Sequence, residues 1–233
     1  QGRAQLAQAW KSLQTPDSTA PTPCVLEQML PLHSECSVVL ARAEDGSHTH
    51  LPVQRNLHRD GILALTEVAS ELIDPHLSQQ LVQATLAIAE GLSYVGVLCV
   101  EFFLLAQPNG QLGWVVNEIA PRVHNSGHWT LDGAMTSQFE QHLRAVLDLP
   151  LGDTRMRAEH AVMGNIIGGH KEDLYRPYLH LMARTPGLKF HNYRKEFRAG
   201  RKLGHVTLIG DDLLELRQEI EHARDYMSGE IDE

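Results

Sequence analysis

Two glutamates, Glu101 and Glu118, are spaced so that the chain could assemble a metal site. Residues 94–105 and 112–118 have the composition of strands, and Pro108-Asn109-Gly110 between them is a turn sequence, so a β-hairpin is predicted. If both side chains share a face, two carboxylates converge, and magnesium is usually bound through one or two carboxylates plus substrate phosphates. The alternative is that Glu118 begins a loop and Glu101 is a solvated strand residue.

The segment after the hairpin, NEIAPRVHNSGHWT at 117–130, is too polar for a strand and is interrupted by Pro121 and Gly127, so a loop is predicted. Such loops commonly carry function. A guanidinium, an imidazole, an amide and a hydroxyl can together bind a small oxyanion. The sequence supplies these groups in Arg122, His124, Asn125 and Ser126. The alternative is a polar loop that hydrogen-bonds its own turns.

Basic side chains are concentrated in one stretch near the C-terminus, KEFRAGRK at 195–202. Lys195, Arg201 and Lys202 in this stretch can hold a phosphate group, because both side-chain types bind phosphate oxygens. Runs of charge are more often solvated faces, and from the residues alone that alternative stays open.

Helices and strands that would position these residues are predicted from periodicity and capping signals. Ser137 is a plausible N-cap, and Glu140 follows at the capping-box spacing. Asp45-Gly46 is a turn signal, and residues 15–23 form a polar, proline-containing loop. The predicted helices cover residues 1–13, 77–90, 137–147 and 211–226, and the further strands cover residues 24–30, 37–42, 48–54, 161–167 and 203–209.

Composition excludes several classes of protein. The 233 residues are 42% hydrophobic, which excludes disordered and fibrous chains, and no apolar run approaches the roughly 20 residues of a membrane span. A formal net charge of −9 argues against nucleic acid or an anionic membrane as partner. The 3 cysteines form no paired motif, and the histidine pairs at 48/50 and 124/128 have no cysteine companions, so neither disulfides nor zinc is expected. A cytoplasmic protein without a signal peptide is predicted.

Several stretches of the chain together resemble the 5-(carboxyamino)imidazole ribonucleotide synthase family of ATP-grasp ligases. NEIAPRVHNSGHWT is the most specific of them, and the likeness runs over nearly the whole chain. The others are VLEQMLPLHSECSVVLAR, NLHRDGIL, VGVLCVEFFL, SQFEQHLRAVLDLPLGDT and GRKLGH.

The resemblance implies an enzyme of purine biosynthesis that uses ATP and Mg²⁺. Such an enzyme activates bicarbonate to carboxyphosphate and carboxylates the amine of aminoimidazole ribonucleotide, releasing ADP and phosphate. It implies an α/β (α+β) fold of ATP-grasp type with a small C-terminal β-rich domain. It also implies that the protein is a homodimer and that it binds small molecules. We expect residues 1–47 to complete a first lobe, residues 48–159 to form the metal-bearing second lobe, and residues 160–233 to form the C-terminal domain.

The resemblance also implies roles for particular residues. Glu101 and Glu118 would ligate magnesium, Arg122, His124 and Asn125 would be catalytic at the bicarbonate site, and Lys195, Arg201 and Lys202 would hold the substrate phosphate. ATP would be bound by a hinge strand and further contacts: Glu27, Gln28, Met29, Leu30, Glu35, His58, Asn117 and Glu118.

Departures from the family pattern limit these expectations. Ala64-Leu65 replace an arginine and a small polar residue, and Cys36 replaces a valine. Members of the family also begin with a further α/β domain and a glycine-rich loop over the phosphates, which we expect to be absent here. We therefore expect the chain to be inactive on its own. Two alternatives stay open: another ATP-grasp carboxylase or transformylase, and a non-catalytic nucleotide-binding or dimerisation module.

Overall fold

The computed structural model describes residues 3–14, 22–108 and 110–232, which divide into two units, Gln1–Pro31 and Leu32–Glu233. The first unit contains helix α1 (Arg3–Leu13). Residues 22–31 of this unit have no regular secondary structure. The side-chain amide oxygen of Gln14 accepts a hydrogen bond of 2.9 Å from the backbone N–H of Thr22, which joins the helix end to this segment.

The second unit is built on a nine-stranded sheet in which every described pairing is antiparallel. Its strands are β1 (Leu32–Arg42), β2 (His48–His50), β3 (Gln54–Arg59), β4 (Ile62–Val68), β5 (Gly96–Ala106), β6 (Leu112–Ala120), β7 (His160–Ile167), β8 (Lys189–Asn192) and β9 (Lys202–Gly210). The order across the sheet is β6-β5-β1-β3-β4-β7-β9-β8, and β2 also pairs with β1. The last three strands in the chain thus continue the same sheet.

Five helices of the second unit pack around this sheet. They are α2 (Pro75–Gly91), α3 (Thr130–Gly133), α4 (Gln138–Val146), α5 (Tyr175–Arg184) and α6 (Leu213–Ser228). Three of them begin at side-chain caps: the carboxylate of Asp74, the hydroxyl of Ser137 and the carboxylate of Asp212 accept from first-turn N–H groups of α2, α4 and α6. Such caps satisfy N–H groups that have no partner within the helix.

The core lies on both faces of the sheet because alternate strand residues point in opposite directions. One face of β1 and β5 packs against α2 through Val38, Leu40, Val100 and Phe102. Further along the sheet, the same side of β7 and β9 packs against α5 and α6. The opposite face carries a second apolar cluster that includes Val39, Cys99, Met163 and Trp129. The α+β fold and the buried, small-residue character of Cys36 and Cys99 are as the sequence predicted.

Most of the predicted elements are confirmed. The β5–β6 hairpin, the Ser137 cap and the terminal helix are present, although the terminal helix is capped by Asp212 and begins at Leu213. Residues 15–21 of the predicted loop lie outside the described residues. The division into parts at 1–47, 48–159 and 160–233 stays a prediction.

Three sequence predictions are wrong. Residues 24–30 form no strand, and their apolar side chains lack the burial that stabilises one: Val25, Leu26 and Met29 are 86%, 83% and 83% exposed. The strand predicted over residues 112–118 continues to Ala120, so residues 119 and 120 belong to β6 rather than to the loop. The predicted strand 48–54 is interrupted at Pro52, which has no N–H to donate to the sheet.

A second hairpin, β3–β4, was not predicted although the sequence contains its signal. Asp60-Gly61 is a two-residue loop with φ values of 51° and 74°, the left-handed conformation that Asp-Gly turns favour. The strand before it, QRNLHR, is so polar that its periodicity is hidden. Helix α5 and strand β8 were also missed. Within the described residues, no helix is both long and apolar enough to cross a membrane.

Candidate active site

The β5–β6 hairpin places Glu101 and Glu118 opposite each other. They are register partners, whereas the next pair is Phe102 with Val116, so Asn117 is an extra residue on β6. A bulge of this kind bends the strand and re-aims the side chains beside it. The side chain of Asn117 hydrogen-bonds to Glu101. The hairpin therefore presents two carboxylates and an amide at one point of the sheet.

These residues line an open cavity of about 410 Å³ on the face of the sheet opposite α2. The cavity brings together eight residues that the sequence singled out and three that it did not. The first group is Glu35, His58, Glu101, Asn117, Glu118, His124, Asn125 and Lys202, and the second is Gly61, Leu63 and Phe103. Polar groups from β1, β3, β5, β6 and β9 thus converge at one place.

Negative charge accumulates on one wall of the cavity. Burial raises the pKa of Glu101, and the nearby carboxylates of Glu118 and Glu35 raise it further. The charge of His58 and the hydrogen bond from Asn117 oppose this rise in the pKa of Glu101. His58 itself lies 2.8 Å from Glu35, Nδ1 to Oε2, so one of the three carboxylates has a close polar partner. Glu101 and Glu118 are left as a like-charged pair that a cation would stabilise.

His124 enters the cavity from a short helical turn at residues 125–127. Its Nε2 lies 3.5 Å from Oε1 of Glu101. Burial lowers the pKa of His124 to about 4, and the charges of Arg122, Lys202 and His58 act in the same direction. At neutral pH the imidazole is therefore uncharged.

The main chain of His124 is held on both sides by one buried side chain, Gln138. The amide nitrogen of Gln138 donates to the carbonyl of His124 at 2.7 Å, and the amide oxygen accepts from its N–H at 2.9 Å. Gly127 is needed for this approach, because a Cβ at that position would lie 2.5 Å from Oε1 of Gln138. Gln138 was missed in the sequence, where it reads as an ordinary first-turn residue of α4.

The side-chain amide of Asn125 has no hydrogen-bond partner among the described residues. Both its nitrogen and its oxygen are inaccessible to solvent and unpaired. A buried polar group without a partner costs free energy of about 1–3 kcal/mol. Because Asn125 also lines the cavity, a ligand that both donates and accepts hydrogen bonds would recover this cost.

Lys202 supplies positive charge to the same cavity. It begins β9, and Leu203 beside it is an extra residue in the pairing with β7. Burial lowers the pKa of Lys202, the charge of Lys195 adds to this effect, and Glu101 opposes it. Lys195 itself lines a separate cavity of about 610 Å³, together with Arg194, Tyr178 and Phe190.

Three predicted site residues of the second unit do not line the 410 Å³ cavity, and four more belong to the first unit. Arg122 is exposed and donates to the carbonyl of Val123 at 3.1 Å, although its charge is felt at His124. Arg201 donates to the carbonyl of Glu196 at 3.3 Å. Lys195 lines the larger cavity. The predicted hinge residues, Glu27, Gln28, Met29 and Leu30, belong to the first unit and are not in a strand.

The sequence analysis also missed the polar residues beneath the cavity. Ser37, Asn56 and Thr66 are 0%, 4% and 0% exposed, and they lie on the same face of the sheet as Glu35 and Glu101. No regular alternation marks these residues in the sequence, because Arg55 and Arg59 make both faces of β3 polar and Glu67 directly follows Thr66 in β4. The two strands that carry Asn56 and Thr66 were therefore not predicted.

The donor set fits magnesium better than a metal bound by protein side chains alone. No group of three or more histidine, cysteine, aspartate or glutamate side chains in a metal-binding arrangement occurs in residues 3–14, 22–108 and 110–232. Two facing carboxylates of like charge are present instead. Magnesium keeps several waters or phosphate oxygens and needs few protein ligands, so Glu101 and Glu118 fit a metal–phosphate complex.

Family comparisons agree with this geometry. A model of the ATP-grasp domain matches residues 1–139, and a model of the phosphoribosylaminoimidazole carboxylase C-terminal domain matches residues 161–219. The first match covers more than half of the chain, and the chain belongs to the ATP-grasp family.

Among curated proteins, the chain is similar to N5-carboxyaminoimidazole ribonucleotide synthases. It is 41% identical over 218 residues to the protein from Vibrio vulnificus, which covers 93% of this chain and 54% of that protein. It is 40% identical to the protein from Mycobacterium tuberculosis, over 88% of this chain and 47% of that protein. The chain thus spans about half the length of the curated relatives it matches.

Solved structures give the same result. The N5-carboxyaminoimidazole ribonucleotide synthetase from Thermus thermophilus aligns with a TM-score of 0.78 and 36% identity, covering 100% of this chain and 59% of that one. The synthase from Aspergillus clavatus, solved with ADP and 5-aminoimidazole ribonucleotide, aligns with a TM-score of 0.74 and 29% identity over 86% of this chain and 53% of that one. The family resemblance inferred from the sequence is therefore confirmed.

Proposed function

We propose that this chain carries the metal and bicarbonate sites of an ATP-dependent carboxylase. The reaction would join bicarbonate to the amine of 5-aminoimidazole ribonucleotide and give 5-(carboxyamino)imidazole ribonucleotide, ADP and phosphate, a step of purine biosynthesis. The observation that carries the proposal is the cavity, where Glu101 and Glu118 lie beside His124, Asn125 and Lys202. Relatives of this chain in the same family are named for this product.

Glu101 and Glu118 would hold Mg²⁺ together with nucleotide phosphates. When bound, the metal supplies charge neutralisation on the transferred phosphoryl group. Glu35 and His58, which lie 2.8 Å apart, and Asn117 line the same cavity and are proposed to contact ATP. The hinge residues Glu27, Gln28, Met29 and Leu30 are proposed to bind adenine by analogy with the family.

His124, Asn125 and Lys202 would orient the small oxyanion. The unpaired amide of Asn125 can donate and accept, and Lys202 supplies a positive charge within a partly buried wall. Prearranged donors of this kind lower the cost of charge that develops during acyl transfer. Arg122 is proposed to reach the same oxyanion from its exposed position. We assign the substrate phosphate to Lys195, Arg201 and Lys202.

The remaining features follow the family and are part of the same proposal. We propose a division near residue 160, which agrees with the gap between the two family-model matches at 139 and 161. We also propose a homodimer in the cytoplasm, with small molecules as partners. The chain alone is expected to bind nucleotide more readily than it catalyses the reaction.

The test is consumption of aminoimidazole ribonucleotide that depends on both ATP and bicarbonate. It is measured with this chain and with a protein extended at the N-terminus to the length of its relatives. Turnover by the extended protein with bicarbonate, and none with formate, supports the proposal over a transformylase. Turnover of a different amine in place of this ribonucleotide contradicts the substrate assignment. Nucleotide binding without turnover in either protein favours a non-catalytic module.

A further inference from the structure

A chain of buried polar side chains runs beneath the cavity and ends at His124. The hydroxyl of Thr66 lies 3.2 Å from Oδ1 of Asn56, and Nδ2 of Asn56 lies 2.9 Å from Oγ of Ser37. The Ser37 hydroxyl is 2.9 Å from Oγ of Ser126, which is in turn 2.9 Å from Nδ1 of His124. Three strands and the turn after β6 therefore contribute to one hydrogen-bonded path.

The path is closed to solvent along most of its length. Thr66, Ser37 and Ser126 are 0% exposed, and Asn56 is 4% exposed. Buried hydroxyl and amide groups are stabilising only when each has a partner, so a buried network fixes the orientation of its members. Oγ of Ser37 has one competing acceptor, Oε1 of Gln54, at the longer distance of 3.4 Å.

The end of the path at His124 has a fixed polarity. The backbone N–H of Ser126 donates to Nδ1 of His124 at 3.3 Å. A backbone N–H cannot act as an acceptor, so this contact favours an unprotonated Nδ1 with a free lone pair. In a neutral imidazole the single proton then lies on Nε2, the nitrogen that faces Glu101.

We propose that Ser126, supported by Ser37, Asn56 and Thr66, is a positioning residue that holds His124 as the Nε2–H tautomer. Ser126 does so twice, through its backbone N–H and through its hydroxyl. The hydroxyl is free to donate to Nδ1 because its oxygen accepts the hydrogen bond from the Ser37 hydroxyl. Its contact with Sγ of Cys99 is longer, at 3.8 Å. Ser37 in turn accepts from the amide of Asn56, which Thr66 orients.

The consequence for chemistry is that His124 is a hydrogen-bond donor toward the cavity and not a base. Its Nε2–H can donate to an oxygen of a bound oxyanion, while the lone pair that a base requires is directed away from the cavity. This consequence rests on the proposed function. The tautomer itself does not depend on which reaction the site performs.

The tautomer can be measured in the present chain by nitrogen NMR with ¹⁵N-labelled histidine at neutral pH. The two nitrogens of a neutral ring differ strongly in chemical shift, and their couplings to the ring carbon-bound protons distinguish the two tautomers. The signals of His124 are identified by their loss in His124→Gln. We expect an unprotonated Nδ1 and a protonated Nε2. A protonated Nδ1, or an equal mixture of the two forms, would overturn the inference.

Ser126→Ala tests the hydroxyl while it leaves the backbone donor in place. We expect the ratio of Nδ1–H to Nε2–H tautomer to rise about fivefold, the effect of one ordinary hydrogen bond. Ser126→Thr, which keeps a hydroxyl, should restore the original ratio. The matched control is Ser228→Ala, which removes another buried hydroxyl, one bonded to the carbonyl of Asp225. It should leave His124 unchanged.

An unchanged tautomer ratio in Ser126→Ala would show that the hydroxyl does not position the ring. If that variant does not fold, Ser37→Ala is judged by the same criterion, with a smaller rise in the ratio expected. Neither ATP nor bicarbonate is present in the measurement. A failure of the proposed reaction therefore leaves the tautomer result standing, and a wrong tautomer would be detected even in a chain that supports carboxylation.

Discussion

The two faces of strands β1 and β5 differ in character, although each strand contributes alternate residues to both. The face toward α2 is apolar over the middle of both strands, with Val38, Leu40, Val100 and Phe102 all 0% exposed. The other face carries the polar pair Ser37 and Glu101 next to the apolar pair Val39 and Cys99. Adjacent residues of one strand therefore lie alternately on the α2 face and on the cavity face. We expect substitution on the α2 face to lower stability and substitution of a cavity residue to change ligand binding.

The largest effect is expected at the pair Phe102 and Phe103, which point to opposite faces. Phe102 is 0% exposed and packs edge-to-face on Trp114, with ring centroids 5.6 Å apart. Phe102→Ala should lower the free energy of unfolding by about 3–5 kcal/mol, because it leaves a cavity in the core. Urea denaturation measures this change.

Phe103→Ala is the matched control, because Phe103 is partly exposed and lines the cavity. We expect a much smaller loss of stability and a change in nucleotide binding. Equal destabilisation by both substitutions would mean that the two faces are not energetically distinct.

The next comparison is between two glutamines of α4. Gln138 holds the main chain of His124, and Gln141 holds the main chain of Gly152 in the same way, at 2.7 and 2.9 Å. Either glutamine→alanine substitution leaves main-chain groups without their partners and should cost about 1–3 kcal/mol of stability. Only Gln138→Ala should also change ligand binding, measured by calorimetry. If both or neither variant altered binding, the link between Gln138 and the site would be lost.

Removal of one carboxylate tests the polar face of the sheet. Glu118→Gln keeps the shape of the side chain but removes a charge next to Glu101. We expect magnesium-dependent nucleotide affinity to fall roughly tenfold, since a charge-assisted contact is lost. Stability should be unchanged or slightly higher, because the like-charge repulsion is relieved. Glu44→Gln, on the exposed turn after β1, is the control and should bind nucleotide normally.

Counted per histidine and per pH unit, the smallest effect is expected from acid. Burial lowers the pKa of His205 to about 3 and that of His128 to about 4, from 6.5. The unfolded chain therefore takes up these protons first, so stability is complete above pH 6.5 and falls as the pH drops toward 4. The slope should be about 1 kcal/mol per pH unit for each such histidine.

The measurement is the urea concentration at which half of the protein is unfolded, determined at several pH values across this range. The slope should be shallower in His205→Gln, because one of the buried histidines is removed. It should be unaltered in His48→Gln, which replaces an exposed histidine of β2. A slope that is the same in all three proteins would contradict the assignment to His205.

Local signals were sufficient to predict the hairpin that carries Glu101 and Glu118, because its alternation and turn lie within one short stretch. The strands around His58 could not be identified by periodicity, since polar residues of β3 face a buried network rather than solvent. The contact of Gln138 with His124 and that of Ser37 with Ser126 join distant parts of the chain. Such pairings depend on sheet order, which no local pattern encodes.

The bulge at Asn117 lies on β6, the last strand at one end of the sheet. An outermost strand exposes backbone groups that can pair with a second molecule, and bulges and charges hinder such pairing. Val116 and Ile119 are each 40% exposed there, and Asn117 and Glu118 lie between them. The residues proposed to hold the metal should therefore also hinder pairing at this edge, and an apolar residue at position 118 should lower solubility as well as nucleotide binding.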